Sequence, residues 1–172
     1  MNDDLKKADT NLGILPDGAP NTHQQLLAKW QRLSVDHRPC VDDFDFEESF
    51  KEPHEPYLVE RTDGSDLSRE LRFRRASSGF HELFERDITG LEVGEVLRDT
   101  VNLTSLDTLH RSLDEFEPHY WEKVRSFYGR QPMHYHRLVL PLMDSDGHAN
   151  LLLGSLIWIG DPMGPATQSS ET

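Results

Sequence analysis

The chain has 172 residues, a formal net charge of −13 at pH 7 and a hydrophobic content of 35%, so its length suits one globular domain with its own core rather than two. The acidic excess, 31 Asp and Glu residues against 18 Lys and Arg, repels a nucleic-acid backbone and an anionic membrane surface over long range. No apolar run approaches the roughly 20 residues that span a bilayer and the N-terminus has no signal-peptide core, so we expect a cytoplasmic protein with neither nucleic acid nor membrane as its partner.

The two ends of the chain are polar and rich in Gly, Pro, Ser, Asp and Thr. Such segments bury too little apolar surface to offset the entropy lost on ordering them. We therefore predict disordered tails at residues 1–21 and 161–172, and one domain over residues 22–160 that begins with an amphipathic helix.

This N-terminal helix is predicted over about residues 23–35. Thr22 and Gln25 have the S/T-x-x-E/Q spacing of a capping box. The apolar positions that recur at helical spacing are Leu26, Trp30 and Leu33. Because an exposed apolar face is unfavourable in water, the helix either crosses the sheet of the domain or pairs with a second copy in a homodimer. We treat these three side chains as candidate interface residues.

A first pair of strands is predicted from two β-rich runs, Pro56–Glu60 and Leu71–Ala76, which lie on either side of a turn. Alternation along the second run points Arg72 and Arg74 away from the core. These arginines belong either to a solvated strand face or to a docking surface for a protein partner, because arginine is enriched in interfaces.

The middle of the chain is predicted to be helical. After a Ser-Ser-Gly step, apolar residues recur at helical spacing from Phe80, with Ser77 or Ser78 as the N-cap. A longer helix begins at Thr104 or Ser105 and ends at a Glu-Pro step.

A further helix is predicted to open at Pro118, because proline is favoured in the first helical turn. Its apolar residues at i, i+4 and i+7 are Tyr120, Val124 and Phe127. Two final strands, MHYHRLVLPLM and LLLGSLIWI, flank a turn rich in Asp and Gly and predict a second hairpin. Helices between two hairpins indicate an α+β fold with an antiparallel sheet and the helices gathered on one face.

The string RFRRASSGFHELFERDITG, followed by YGRQPMHYHRLVLPLMDSDG and LLLGSLIWI, resembles a family of small bacterial PAS-like domain proteins. The likeness lies in the order and spacing of these motifs from about Leu26 to Ile159. It implies a five-stranded antiparallel sheet whose inner face, covered by short helices and one longer helix, encloses a small cavity. The implied role is sensing or regulation in signalling, through a small ligand or a protein partner, without catalysis and without an output domain of its own.

Two positions depart from the family pattern. Arg75 replaces an apolar residue, and Glu85 replaces a glycine. Strand alternation places Arg75 on the face of Leu71 and Phe73, which points at the core, and a buried arginine needs an anion or a paired carboxylate. The alternative is an edge position or a bulge that lets the side chain reach water.

A cavity ligand is expected to contact residues on several of these elements. His134 and His136 share a strand face with the leucines that follow them and are taken to look toward the cavity. The full set of candidate ligand-binding residues is Tyr57, Arg75, Phe80, His134 and His136.

No catalytic residue, metal or cofactor is assigned from the sequence. The nucleophile and phosphate-binding motifs G-x-S-x-G and G-x-x-x-x-G-K-[ST] are absent from the printed sequence, and the His-x-His pair lacks the third and fourth ligands that zinc requires. Cys40 lies outside the Asn-Cys-Arg-Phe type of motif that LOV flavin chemistry needs. The alternatives to a ligand-binding sensor are a haem or metal sensor, with His110 or His119 as axial ligand, and a ligand-free structural adaptor.

Overall fold

The structure, a computed structural model, describes residues 15–45, 48, 54–63, 69–97, 104–125 and 133–159. Its helices are α1 (Asn21–Leu33), α2 (Ser78–Leu83), α3 (Val93–Val96) and α4 (Thr104–Glu115). Its strands are β1 (Glu55–Asp63), β2 (Arg69–Ala76), β3 (His119–Arg125), β4 (Met133–Leu142) and β5 (Leu151–Ile159). No described helix is both long enough and apolar enough to cross a membrane.

The strands form one antiparallel sheet in the order β2-β1-β5-β4-β3. Both predicted hairpins, β1 with β2 and β4 with β5, are confirmed. They are joined side by side because β5 also pairs with β1. The α+β class and the five-stranded antiparallel sheet are therefore confirmed as well.

The helix predicted to open at Pro118 is wrong. Residues His119–Arg125 form β3, which pairs with β4 along its whole length. The i, i+4 spacing of Tyr120 and Val124 is an even number of residues, so it places two residues on one face of a strand as well as of a helix. Aromatic and β-branched residues favour strands, and Phe127, whose i+7 position suggested a helix, lies outside the described residues.

The inner face of the sheet is covered by α2, α3 and α4, as the resemblance implied. One hydrophobic cluster joins this face to the helices. Leu83 of α2 and Leu113 of α4 are each 2% exposed, and Val59 of β1 and Val139 of β4 are fully buried between them. This layer holds the functional site described below.

The outer face of the sheet is covered by α1. Leu27 and Trp30 lie against Leu58, Leu138 and Leu153 in a second hydrophobic cluster. The indole nitrogen of Trp30 donates a hydrogen bond of 2.8 Å to the carbonyl oxygen of Pro141. Because β4 and β5 are covered on both faces, they read as almost continuous apolar runs in the sequence.

The predicted capping box at the start of α1 is wrong. The helix begins at Asn21, with Pro20 in the N-cap position and no side-chain cap. Leu15 and Ala19 are buried in the outer cluster, so the part of the predicted N-terminal tail that the structure describes contributes to the core. The remainder of that tail, residues 1–14, and the predicted C-terminal tail lie outside the described residues.

The glycine that the family has in place of Glu85 is explained by the backbone. Glu85 follows α2 with φ of 56°, a left-handed conformation that costs an L-residue about 1–2 kcal/mol and glycine nothing. We expect Glu85→Gly to raise the free energy of unfolding by up to about 1 kcal/mol, since the entropy that glycine loses on folding offsets part of the relief.

Urea denaturation followed by circular dichroism measures this difference. Glu82→Gly is the matched control, because Glu82 lies within α2, where glycine costs about 1 kcal/mol. Equal destabilisation by the two substitutions would contradict the backbone explanation.

Candidate ligand-binding cavity

A cavity of about 40 Å³ lies between the inner face of the sheet and the helices above it. Its walls come from four of the strands, from α2, α3 and α4, and from the residues that follow α2 and α3. The lining residues are Tyr57, Val59, Phe73, Phe80, Leu83, Phe84, Val93, Leu97, Leu109, Tyr135, Arg137 and Leu156. The cavity is therefore apolar apart from two phenol hydroxyls and one guanidinium group.

One wall of the cavity depends on a contact between Tyr57 and Gly154. The two residues face each other across β1 and β5, and a Cβ atom at Gly154 would overlap the Tyr57 ring. The ring is held in place by edge-on contacts with Phe73 and Phe80, with centroid separations of 6.0 and 5.2 Å. Because glycine has no side chain, the Tyr57 ring can lie across β5 at Gly154.

Arg137 is the charged group that lines the cavity. It is only 7% exposed, and its guanidinium lies 4.1 Å from the centre of the Trp121 ring on β3, with which it is in register. Its Nη2 atom is buried and has no hydrogen-bond partner among the described residues. The aromatic ring offsets part of the cost of burying the cation, but it does not replace a hydrogen-bond acceptor.

The charge of Arg137 acts on its buried neighbours. Burial raises the pKa of the Tyr57 hydroxyl, and the positive charge of Arg137 opposes this rise. Burial lowers the pKa of His119, and the charges of Arg111 and Arg137 lower it further, while Glu115 and Glu117 raise it. The charge of Arg137 therefore acts on two buried groups, one of which, Tyr57, lines the cavity.

No protein-family model matches the chain, and no curated protein matches it. Solved structures similar to it include a fungal LOV domain photoreceptor, with 16% identity, 83% of this chain and 98% of that chain covered, and a TM-score of 0.47. The PAS domain of BvgS from Bordetella pertussis has 18% identity, coverage of 64% and 78%, and a TM-score of 0.40. The N-terminal domain of a diguanylate cyclase with a PAS/PAC sensor from Marinobacter aquaeolei has 9% identity, coverage of 61% and 94%, and a TM-score of 0.44. Matches this distant carry no conclusion about ligand, partner or activity.

The architecture itself is decisive for the fold. A five-stranded antiparallel sheet, short helices and one longer helix on its inner face, and a small cavity between the layers are all present. The chain has a PAS-like fold. Within it, Tyr57 and Phe80 line the cavity, as the sequence predicted.

The prediction that His134 and His136 face the cavity of this PAS-like fold is wrong. Both share a face of β4 with Leu138, as expected, but that face is the outer one beneath α1. His136 accepts or donates a 2.5 Å hydrogen bond with the Tyr120 hydroxyl, and His134 lies 2.9 Å from a carboxylate oxygen of Glu122. A strand that is buried on both faces does not reveal in its sequence which face meets the cavity.

The placement of Arg75 on the core face is also wrong. Val59 is opposite Phe73 while its neighbour Leu58 is opposite Arg75, so β2 contains a bulge with Arg74 as the extra residue. The bulge moves Arg75 to the side of Leu58, which is the outer side of the sheet. The alternative explanation, an edge position or a bulge, is confirmed in both respects, because β2 is also an edge strand.

The candidate interface residues divide into two groups. Trp30 is 8% exposed and, with the partly buried Leu26 and Leu33, packs on the outer face of the chain's own sheet. Arg72 donates hydrogen bonds to the Glu70 carboxylate at 2.7 Å and to a backbone carbonyl. Arg74 is exposed and lies 3.7 Å from a Glu60 carboxylate oxygen. The apolar face of α1 is thus occupied, whereas Arg72 and Arg74 of β2 are at least partly open to solvent.

A polar cluster that sequence reasoning missed lies beneath α1. His23 of α1 is fully buried, and its Nε2 atom is 2.9 Å from the hydroxyl of Ser155 on β5. The same hydroxyl lies 2.7 Å from Nδ1 of His54. Burial and the nearby His54 and His136 lower the pKa of His23 to about 3. The signal in the sequence was a histidine on the apolar face of α1, three residues before Leu26.

Neither haem nor flavin has room in the cavity as described. Ligand pockets usually enclose about 300–1,000 Å³, whereas this one has about 40 Å³. Among the described residues, no group of three or more His, Cys, Asp or Glu side chains is arranged to hold a metal ion. Cys40 does not line the cavity, since it forms a bridge with Met143 beside the sheet.

Proposed function

We propose that this protein is a sensory or regulatory domain that binds a small ligand in the inner cavity and acts through a protein partner, without catalysing a reaction. The observation that supports this proposal is an apolar cavity between the sheet and the helices with one buried arginine at its wall. A concave apolar site with few, placed polar groups is the usual form of a small-molecule site. A role in bacterial signalling and a cytoplasmic location belong to the proposal.

The composition of the cavity wall supports binding rather than turnover. General acid–base or nucleophilic chemistry uses His, Asp, Glu, Cys, Ser, Lys or Tyr side chains within reach of the ligand, and a nucleophile also needs an activating base beside it. Among the described residues that line the cavity, the polar groups are those of Tyr57, Tyr135 and Arg137. These groups orient a ligand and do not form a nucleophile–base pair.

A route from the cavity to a partner is proposed through the sheet. Arg137 of β4 faces the cavity, and Pro141 of the same strand accepts the hydrogen bond of Trp30 from α1. A ligand that shifts β4 would therefore also change how α1 lies on the outer face. The exposed Arg74 at the bulge of β2 would then belong to the surface that a protein partner, or a second copy, contacts.

Native mass spectrometry of the purified protein tests this function. We expect a small molecule to co-purify, or to bind from a metabolite mixture, and the cavity-filling variant Leu97→Phe to reduce its occupancy at least several-fold. Leu33→Phe is the matched control, because Leu33 is a partly buried leucine that lies on the outer side of the sheet. Equal occupancy in both variants, or turnover of the bound molecule, would overturn the proposal.

A ligand-free adaptor is the second candidate, and the small cavity volume favours it. In that case the side chains largely fill the space, no molecule binds, and Leu97→Phe leaves the partner interaction unchanged. Protein binding without any small-molecule adduct in the same spectra would decide for the adaptor.

A further inference from the structure

We propose that the inner cavity is a site for a short-chain carboxylate of about four non-hydrogen atoms, held through its carboxylate by Arg137. This inference rests on the proposed function, because it names the chemical class of the ligand for the same cavity. Three features carry it: the unmatched guanidinium, the volume of the cavity and the apolar remainder of its wall.

The guanidinium of Arg137 has an unused capacity to donate hydrogen bonds to an acceptor. The side chain is 93% buried (7% exposed), lines the cavity, and has one buried nitrogen without a hydrogen-bond partner among the described residues. No ion pair within 4 Å joins it to a carboxylate in the part of the chain that the structure describes. A carboxylate matches the planar, forked donors of arginine, so in the cavity it would supply the missing charge. A small rotation of the guanidinium would bring Nη2, which is closed to solvent, within reach of the carboxylate as its acceptor.

The volume sets the size of the ligand. One water-sized atom group occupies about 10–15 Å³ on this measure, so a cavity of about 40 Å³ admits three to four such groups. Acetate has this size. A phosphate ester, a dicarboxylate or an aromatic acid exceeds it.

The wall opposite the guanidinium selects the rest of the ligand. The apolar part of the wall includes Val59, Phe73, Phe80, Leu83 and Leu156, whose side chains give no hydrogen bonds to a hydroxyl or an amino group. A methyl group buries favourably there, whereas a polar substituent that points at this wall, away from the hydroxyls of Tyr57 and Tyr135, would lose its water without compensation. Short aliphatic carboxylates are therefore preferred over hydroxy acids and amino acids of the same length.

The pKa of His119 provides a second measurement of anion binding, separate from the melting temperature. Its buried Nε2 atom has no hydrogen-bond partner among the described residues, and the charges that act on it come from Arg111, Arg137, Glu115 and Glu117. A bound carboxylate neutralises the contribution of Arg137. The pKa of His119 should consequently rise when the anion binds beside Arg137, and Arg137→Met should remove this response.

The test compares sodium acetate with sodium chloride at equal ionic strength, using thermal unfolding and the NMR titration of His119. We expect acetate, and not chloride, to raise the melting temperature and the His119 pKa of the wild-type protein at millimolar concentration. Arg137→Met should abolish both responses, and Arg137→Lys should weaken them, because lysine keeps the charge and loses the fork. Arg75→Met is the matched control and should respond as the wild type, since Arg75 lies on the outer side of the sheet.

Two results would overturn the inference: an equal response to chloride, or an equal response in Arg137→Met. Xenon, which occupies dry apolar cavities, separates this failure from that of the proposed function. If xenon binds and acetate does not, the cavity is accessible to a ligand but the assignment of a carboxylate to it is wrong. If neither xenon nor acetate binds, the proposed ligand-binding function is wrong as well.

Discussion

The substitution Gly154→Ala is expected to lower the free energy of unfolding by about 3 kcal/mol, the upper part of the range for an overfilled core. The added methyl group would overlap the ring of Tyr57, which is 4% exposed and is held between Phe73 and Phe80. The ring can move only into the small cavity that it lines, and the backbone has little freedom to shift, because Gly154 pairs with Tyr57 on one side and Val139 on the other. Alanine also reduces the entropy of the unfolded chain, but that gain is only about 0.4–1 kcal/mol.

Urea denaturation measures the loss, and Gly94→Ala is the control for the same chemical change. A Cβ atom at Gly94 meets its nearest neighbour, Leu106 Cδ1, at 3.4 Å, which is ordinary contact. Because Gly94 lies in α3, alanine there should be neutral or stabilising by up to about 1 kcal/mol. Equal effects of the two substitutions would contradict the close approach of Tyr57 to β5. Gly154→Ala should also weaken acetate binding, because Tyr57 forms part of the cavity wall.

Acidification from about pH 7 to pH 5 is expected to remove about 2 kcal/mol of stability through His23 alone. The pKa of His23 falls from 6.5 to about 3 on folding, so the folded state holds the imidazole neutral while the unfolded state protonates it. This contribution is fully present above pH 6.5 and is lost progressively as the pH falls from 6.5 toward 3. The pKa of His136 is also lowered by burial, so its effect has the same sign.

The physical cause is the site of His23 between α1 and the sheet. Ser155 hydrogen-bonds its ring, Tyr120 meets it edge-on at a centroid separation of 6.1 Å, and the imidazoles of His54 and His136 are close enough to oppose a second charge. No carboxylate is among the causes that act on its pKa. Protonation therefore favours states in which α1 has left the outer face.

Denaturation curves at several pH values between 5 and 7 measure this linkage. His23→Gln should reduce the slope of the unfolding free energy against pH by the equivalent of about one bound proton, even if it lowers the stability at pH 7. His148→Gln is the matched control, because it makes the same substitution in the exposed turn between β4 and β5, away from α1. A slope that is the same in all three proteins would exclude His23 as its source. The carboxyl groups of Asp43, Asp87 and Asp144 do not interfere, because their pKa values are lowered from 3.8 and they titrate below this window.

Several elements could be predicted from the sequence because their signals are local. The apolar spacing of α1 and α4 and the two hairpins follow from side-chain periodicity and turn chemistry. The short helix after β2, with Ser77 in the N-cap position, follows from the Ser-Ser-Gly step. The family resemblance added the fifth strand and the cavity, neither of which the periodicity had indicated.

The local signals failed where two structures satisfy the same spacing. Tyr120 and Val124, four residues apart, fit both a helix and a strand, and only pairing with β4 decides between them. The register of β2 was also ambiguous, since one bulged residue reverses the face of every residue that follows. Alternation without the bulge therefore places Arg75 on the core face, whereas the arginine that lines the cavity is Arg137 of β4.

The amino-acid sequence by itself determined the class of the fold, the hairpins and the amphipathic helices, because these depend on the order of neighbouring residues. Only the tertiary structure decided which face of β4 meets the cavity, since β4 is buried on both faces and each of its two sets of alternating residues contains both apolar and polar side chains. That choice placed Arg137 inside with an unmatched nitrogen, and His134 and His136 outside beneath α1. The site depends on contacts between residues that are distant in sequence, such as Arg137 with Trp121 and Tyr57 with Gly154, and no local pattern encodes them.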